Sequence, residues 1–212
     1  NDIAVSTLIP AEPWLFDYYA RHGFAPVFRY RKSVYTASET PLPKGGPVLK
    51  VTHEYKKEIY EYLNRKLRDR PNYIQHTPKD FQFVLSDLRL SQGNIYTLND
   101  EGNIVALAIA YPSDDGSLYI GEIVSDTPEI SSTLLQRLCE KKQIPSIEVY
   151  MPPVADTNNS PFGMARIINA KTMLKLYAAV HPELEITLYV TDEQISANNG
   201  YYYLNNGKCM SS

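Results

Sequence analysis

The stretch Ser6–Tyr35, STLIPAEPWLFDYYARHGFAPVFRYRKSVY, constrains the fold of this chain more than any other. It reads as strand, helix, strand. The helix is expected to start after Pro10, and Leu15, Tyr18 and Tyr19 recur at the spacing of one buried face. Gly23 follows where a helix ends in a left-handed turn, and Phe24 opens the next strand. The alternation of strand and helix is that of a mixed α/β (α+β) chain.

The bulk numbers narrow the function classes. A content of 43% hydrophobic and 21% charged residues is that of an ordinary globular protein. A net charge of -3 leaves no electrostatic footprint for nucleic acid, so no nucleic-acid partner is expected. The longest apolar run, Ile104–Tyr111, is far too short to cross a bilayer, and no membrane association is expected. Cys139 and Cys209 do not make a disulfide framework and read as reduced thiols in a cytoplasmic protein. Seventeen tyrosines are unusual, and most should line cores and sheet faces.

Segments follow from punctuation and periodicity. Residues 38–47, SETPLPKGGP, carry three prolines and two glycines and mark a linker. Lys44-Gly45-Gly46 lacks the order of a phosphate loop and its flanking elements. From Val48 to Pro153 a second unit unfolds. Thr52 is expected to cap a helix whose Tyr55, Ile59, Tyr62, Leu63 and Leu67 form one face. Thr77-Pro78-Lys79-Asp80 starts another, with Phe81, Val84, Leu85 and Leu88 on its buried side. Strands are expected at Asn94–Leu98, Ile104–Tyr111 and Leu118–Val124, then a helix at Pro128–Lys142 and a strand at Ser146–Tyr150. Farther on, Gly163–Asn169 leads into a helix with Met173, Leu174, Tyr177 and Val180 on one face, ended by His181-Pro182. A strand alternating Ile186, Leu188 and Val190 follows. Asn-Asn-Gly turns at Asn198 and Asn205 flank a strand, Tyr201–Leu204.

Tyr18-Tyr19-Ala20-Arg21-His22-Gly23-Phe24 resembles the "fYxxxGF" signature of the GNAT-superfamily N-acetyltransferases. The order helix, helix, three-strand meander, helix, strand over residues 48–153 is similar to that fold again. "GMARIIN", its helix and the "NNGxYxL" strand resemble the sterol-carrier-protein-like domain that closes acetyltransferases of the enhanced-intracellular-survival type. The resemblance implies GNAT-like mixed sheets flanked by helices, followed by part of a sterol-carrier-like α+β domain. It divides the chain into the C-terminal part of a first GNAT domain (1–37), a linker (38–47), a second, degenerate GNAT-like domain (48–153) and a partial sterol-carrier-like domain (158–212).

In that family an amine attacks the thioester of acetyl-CoA, and an acid protonates the departing thiolate. The resemblance gives that catalytic role to Tyr19. Trp14 and Asp17 are candidate substrate-binding residues, Trp14 as an aromatic wall and Asp17, with Glu12, as an amine-facing acid; the simpler readings are packing for Trp14, solvated residues near the helix start for Asp17 and Glu12, and a cation at the helix C-terminus for His22. Tyr18 should point elsewhere, into the core. The family holds the pyrophosphate of acetyl-CoA on a Q/R-x-x-G-x-G/A loop at a helix N-terminus. Only Asn1–Val5 precede the first strand, so the chain is expected to be a fragment whose missing N-terminal region binds most of the acetyl-CoA, and to be inactive alone. In the second unit the corresponding junction, Ser125-Asp126-Thr127-Pro128-Glu129, has no glycine and two acids, which would repel the cofactor. The family's C-terminal carboxylate role is not carried over to Ser212.

His22, His53, His76 and His181 are scattered, so no metal site is expected. The basic helix with Lys56-Lys57, Arg65-Lys66, Arg68 and Arg70 interleaves Glu54, Glu58, Glu61 and Asp69, which makes a solvated, salt-bridged face. The expected function of the parent protein is acetyl-CoA-dependent N-acetyl transfer to an amine on a small molecule or peptide. The alternative is a non-catalytic ligand-binding or scaffolding module derived from the same fold. The sequence is silent on the acceptor and the general base. An exposed half-domain would invite self-association into a homo-oligomer.

Overall fold

A computed structural model describes residues 3–40, 42–43, 45–68, 70–71, 73–113, 116–155 and 158–211. Expectations for Lys44, Asp69 and Ser212 lie outside the described residues. The elements run β1 (Val5–Leu8), α1 (Leu15–Ala20), β2 (Ala25–Thr36), β3 (Val48–Thr52), α2 (Lys57–Leu67), α3 (Pro78–Leu90), β4 (Asn94–Asp100), β5 (Asn103–Pro112), β6 (Leu118–Ser125), α4 (Pro128–Lys142), β7 (Ser146–Met151), β8 (Ser160–Ile167), α5 (Ala170–Val180), β9 (Ile186–Val190), β10 (Gly200–Asn205) and β11 (Lys208–Ser211). They form two compact units. Unit one joins Asn1–Arg29 to Pro161–Ser212, and unit two is Tyr30–Ser160. The division falls within β2, not at residues 38–47, and those residues belong to unit two.

Unit two is a mixed sheet in the order β2-β7-β6-β5-β4-β3, antiparallel except for the β6–β7 pair. Its middle strand β5 is apolar almost throughout because helices cover both faces. Leu107 and Ile109 face α2 and α3, packing with Ile59, Leu63, Phe81 and Leu85. Ala106, Ala108 and Ala110 face the other way, and these small side chains let Leu134 and Leu138 of α4 come close. The register of β5 on β6 slips at Ile109/Ala110: Ile109 opposes Glu122 and Ala110 opposes Ile120, so Gly121 is the extra residue of a bulge. Tyr30, Tyr150, Tyr119 and Tyr111 stack across β2, β7, β6 and β5 with centroid spacings of 4.7, 5.5 and 5.2 Å, a cross-strand ladder that absorbs four of the tyrosines.

The strong local signals hold. Thr77 and Asp80 form a reciprocal capping box, and α4 spans Pro128–Lys142. Weak ones shift. Residues 48–52 form an edge strand, so Thr52 ends β3 and accepts from the Glu54 N–H instead of capping a helix; α2 begins at Lys57, which leaves Tyr55 outside it. The expected linker, residues 38–47, is bonded to α4 at several of its described residues. Buried Gln136 exchanges hydrogen bonds with the Ser38 backbone (2.8 and 3.1 Å), and Arg137 donates to the carbonyls of Pro43 and Gly45.

In unit one, β1, β8 and β2 are neighbours in that order, and β11-β10-β9 make a second, three-stranded sheet. Gly163–Asn169 leads into α5 as expected, and its residues Gly163–Ile167 lie within strand β8. The buried stripe of α5 is Ala170, Leu174 and Ala178, against Tyr202, Leu204 and Cys209. Tyr177 and Val180, expected on that stripe, are exposed, Val180 by 73%. Small alanines bring a helix closest to a sheet, and a reading that follows large side chains misses them. Asn206 and Gly207, both at positive φ, close the β10–β11 hairpin, as Asn-Gly demands.

Candidate functional site

The helix carrying Tyr19 is only six residues long and buries none of them. Its end is sharply defined. Phe24 N–H bonds to the Tyr19 carbonyl (3.2 Å) and Gly23 N–H to that of Ala20 (3.0 Å), the paired bonds of a Schellman turn. That turn requires Gly23 at φ +78°, a conformation costly for any residue with a Cβ. The expectation of a left-handed glycine is therefore met, with the strand opening at Ala25.

Tyr19 is half-buried, its ring edge-on to Phe24 at 5.8 Å and to Tyr18 at 5.2 Å. Its phenol has no hydrogen-bond partner among the described residues, which leaves the O–H free to donate. Tyr18 does not enter the core: it is 47% exposed, with its ring 4.8 Å from that of His22. Trp14, at the helix N-terminus, is 65% exposed, and Asp17 is exposed in the first turn. Positions 14, 17 and 18 share one helical face and position 19 lies about 100° round from 18, so Trp14 and Asp17 present together while Tyr19 turns toward Phe24.

Unit two offers a strand-to-helix junction where a pyrophosphate could be tested for fit. The N-terminus of α4 is filled by its own side chains. Thr127 Oγ1 accepts from Ile130 N–H (3.4 Å), and Ser125 Oγ donates to the Thr127 carbonyl and meets Ser131 Oγ, both at 2.7 Å. Asp126 beside it is ion-paired to Lys66 at 2.7 Å and accepts from Tyr62 Oη at 3.0 Å. Burial pushes the Asp126 pKa up, but the bonds from Lys66 and Tyr62 outweigh it and the net direction is down, so the charge is fixed. Burial, then the bond to Asp126, pushes the Tyr62 phenol far up. An anion would meet a carboxylate at this helix end and no glycine to approach. The junction does not fit the pyrophosphate of acetyl-CoA. In unit one, β8 runs into α5 through Ile168-Asn169, where Asn169 caps Thr172 N–H (2.9 Å), again without glycine.

Two charged groups escaped the sequence reading. Glu122, beside the β6 bulge, is mostly buried and 2.6 Å from Arg70; its Oε1 also accepts from Ile123 N–H at 3.2 Å. Burial raises its pKa, and Arg70 only partly offsets that. Tyr73, close by, is pushed up to about 12, chiefly by burial and then by the Glu122 charge. Arg166, in β8, is the other. A charge inside an apolar strand, as in Leu-Tyr-Ile-Gly-Glu-Ile-Val or Gly-Met-Ala-Arg-Ile-Ile, is the signal that could have found both. Among the described residues no three His, Cys, Asp or Glu side chains gather as a metal site would need. No helix among them is long and apolar enough to cross a membrane.

No protein-family profile matches the sequence, and no curated protein is similar to it. Solved structures do match. A probable N-acyltransferase from Enterococcus faecalis V583 superposes with a TM-score of 0.71 at 16% identity, covering 99% of this chain and 58% of that one. A GCN5-related N-acetyltransferase from Anabaena variabilis ATCC 29413 gives 0.66 at 17% identity, covering 100% and 58%. Eis1 from Mycobacterium abscessus gives 0.55 at 13%, covering 99% and 58%. The fold is thus that of GCN5-related N-acetyltransferases, and the chain spans 58% of the length of these three structures.

Proposed function

We propose that the protein is an acetyl-CoA-dependent N-acetyltransferase of tandem layout, in which unit one carries the chemistry and unit two is a degenerate copy that serves as scaffold. The observation that carries this reading is Tyr19: a half-buried phenol whose O–H meets no hydrogen-bond partner among the described residues, on a short helix ended by the glycine turn of its signature, within an acetyltransferase fold. Tyr19 is the acid that gives its proton to the thiolate leaving the thioester as an amine takes the acetyl group. Trp14 and Asp17 face the acceptor, an amine on a small molecule or peptide, the aromatic ring as a wall and the carboxylate as a partner for its charge. The donor is held mainly by the part of the longer relatives that this chain does not span, since neither strand-to-helix junction described above fits its pyrophosphate. The domains are read as before: a first GNAT part (1–37), a GNAT-like second domain (48–153) and a sterol-carrier-like part (158–212), in a cytoplasmic protein that can self-associate.

The test is thiol release from acetyl-CoA by the full-length protein over a panel of primary amines, with calorimetry for the donor. Amine-dependent release and donor binding are expected. Neither signal above buffer would overturn the reading in favour of its rival, a non-catalytic ligand-binding or scaffolding module. The self-filled N-terminus of α4 already favours that rival for unit two taken alone.

A further inference from the structure

Helix α1 poses a mechanical question. It has no buried side chain and no side-chain cap, yet a general acid must be held to within a fraction of an ångström. Leu15, Phe16 and Tyr19 are only half-buried, which leaves the helix weakly packed, and the described contacts add directional bonds. Arg166, only 9% exposed, reaches the C-terminal turn of α1 from β8. Its Nη1 donates to the His22 carbonyl and to Gln194 Oε1 (2.6 Å), and its Nη2 donates to Asp192 Oδ1 (3.0 Å). Gln194 Nε2 in turn donates to the Arg21 carbonyl at 2.5 Å. Two carbonyls at the end of α1 thus receive fixed donors, and a cation sits where the helix dipole is negative.

The glycine of the signature is part of the same device. A Cβ on Gly23 would lie 2.9 Å from Arg166 Cζ, so the guanidinium lies against the backbone that only glycine leaves bare. The far side is equally fixed. Asp192 accepts from the backbone N–H groups of Gln194 (3.0 Å) and Ile195 (2.9 Å) and from Asn198 Nδ2 (3.0 Å). Those bonds hold its carboxyl down at about 2. Asn198 Oδ1 accepts from Ala170 N–H at 2.9 Å, which ties the network to the start of α5. The two sequence signatures, Tyr18–Phe24 and Gly163–Asn169, are therefore one construction joined at Arg166.

We propose that Arg166 is the positioning residue of the Tyr19 site, setting α1 through its terminal carbonyls, with Gln194 as second anchor and Asp192 as the fixed counter-charge. This rests on the reading of Tyr19 as the acid. A lysine at position 166 keeps the charge but cannot make the planar fork to three partners.

The experiment uses the full-length protein labelled with ¹³Cζ-tyrosine, with the Tyr19 signal assigned by its loss in Tyr19→Phe. Arg166→Lys should move or broaden the Tyr19 signal and leave that of Tyr96, in unit two, in place. It should also lower kcat about 10- to 100-fold, with KM for acetyl-CoA within about twofold, the signature of misplacement and not of lost binding. An unmoved Tyr19 signal in folded Arg166→Lys would overturn the proposal. If that variant does not fold, Gln194→Ala carries the test: it removes only the second anchor, and a smaller displacement of the same signal is expected, with no displacement counting against. Should the wild type release no thiol at all, the functional reading falls, while the tyrosine signal still decides whether Arg166 sets α1.

Discussion

The two units are held by different physics. Unit two buries apolar side chains on both faces of its sheet, and among the described residues eleven of the twelve largest fully buried side chains, Tyr96, Phe81 and Leu138 among them, belong to it; Met164 is the exception. Unit one has a small apolar cluster of Ala170, Ala178, Tyr202, Leu204 and Cys209, and a buried arginine bonded to the end of a helix that has no fully buried side chain. Apolar burial is non-directional, scales with area and tolerates small shifts. Hydrogen bonds to a guanidinium fix direction. On the proposed function, a scaffold unit suits the first, and a unit that aims a phenol suits the second.

This contrast can be broken or sharpened experimentally. The largest effect is expected in the unit-two core. Leu138→Ala, at a fully buried position facing Ala108, should cost about 2–5 kcal/mol of unfolding free energy. Denaturant titration would show it, and a loss under about 1 kcal/mol would mean the core is not tightly packed. Arg70→Ala should cost about 2 kcal/mol, below the roughly 3–5 kcal/mol for breaking a fully buried pair because Arg70 keeps about a quarter of its side chain exposed. It should also drive the Glu122 carboxyl further up, measurable by carboxyl NMR, and an unchanged titration would show that Arg70 does not compensate the charge. Thr77→Ala removes one half of a capping box and should cost about 1 kcal/mol.

The smallest effect is on pH. The folded pKa of Asp192 lies below its ordinary 3.8, at about 2, because the side chain of Asn198 and the backbone N–H groups of Ile195 and Gln194 favour the carboxylate. Its contribution is therefore complete above about pH 4 and is lost as pH falls toward 2. Acid should disturb the Tyr202 resonance of unit one over that window, and Asp192→Asn should flatten the response. An equal response in both proteins would place the acid sensitivity elsewhere.

What was legible in the sequence divides along the same line. The capping box at Thr77, the span of α4 and the turn at Gly23 are local signals written within a few residues, and they hold. Thr52 failed as a cap because the strand at 48–52 exists only through its pairing with β4, a long-range fact. The α5 face was misread because its contact is made by alanines. Arg166 could be seen as a charge within an apolar run, but its partners His22, Asp192 and Gln194 lie as far as 144 residues away, and no spacing rule joins them. Tyr19 came from a signature and not from periodicity. The helical pattern that placed it on a buried face placed Tyr18 there too, and Tyr18 is exposed.

The central claim is that unit one carries the chemistry and unit two does not. Its most direct test is acetyl-CoA turnover by the full-length protein with one phenol removed in each unit. Tyr19→Phe should lower kcat by about 10²–10⁴-fold, and Tyr119→Phe, which keeps its place in the tyrosine stack, should leave it unchanged. A full rate for Tyr19→Phe, or a collapse for Tyr119→Phe with the fold intact, would contradict the account.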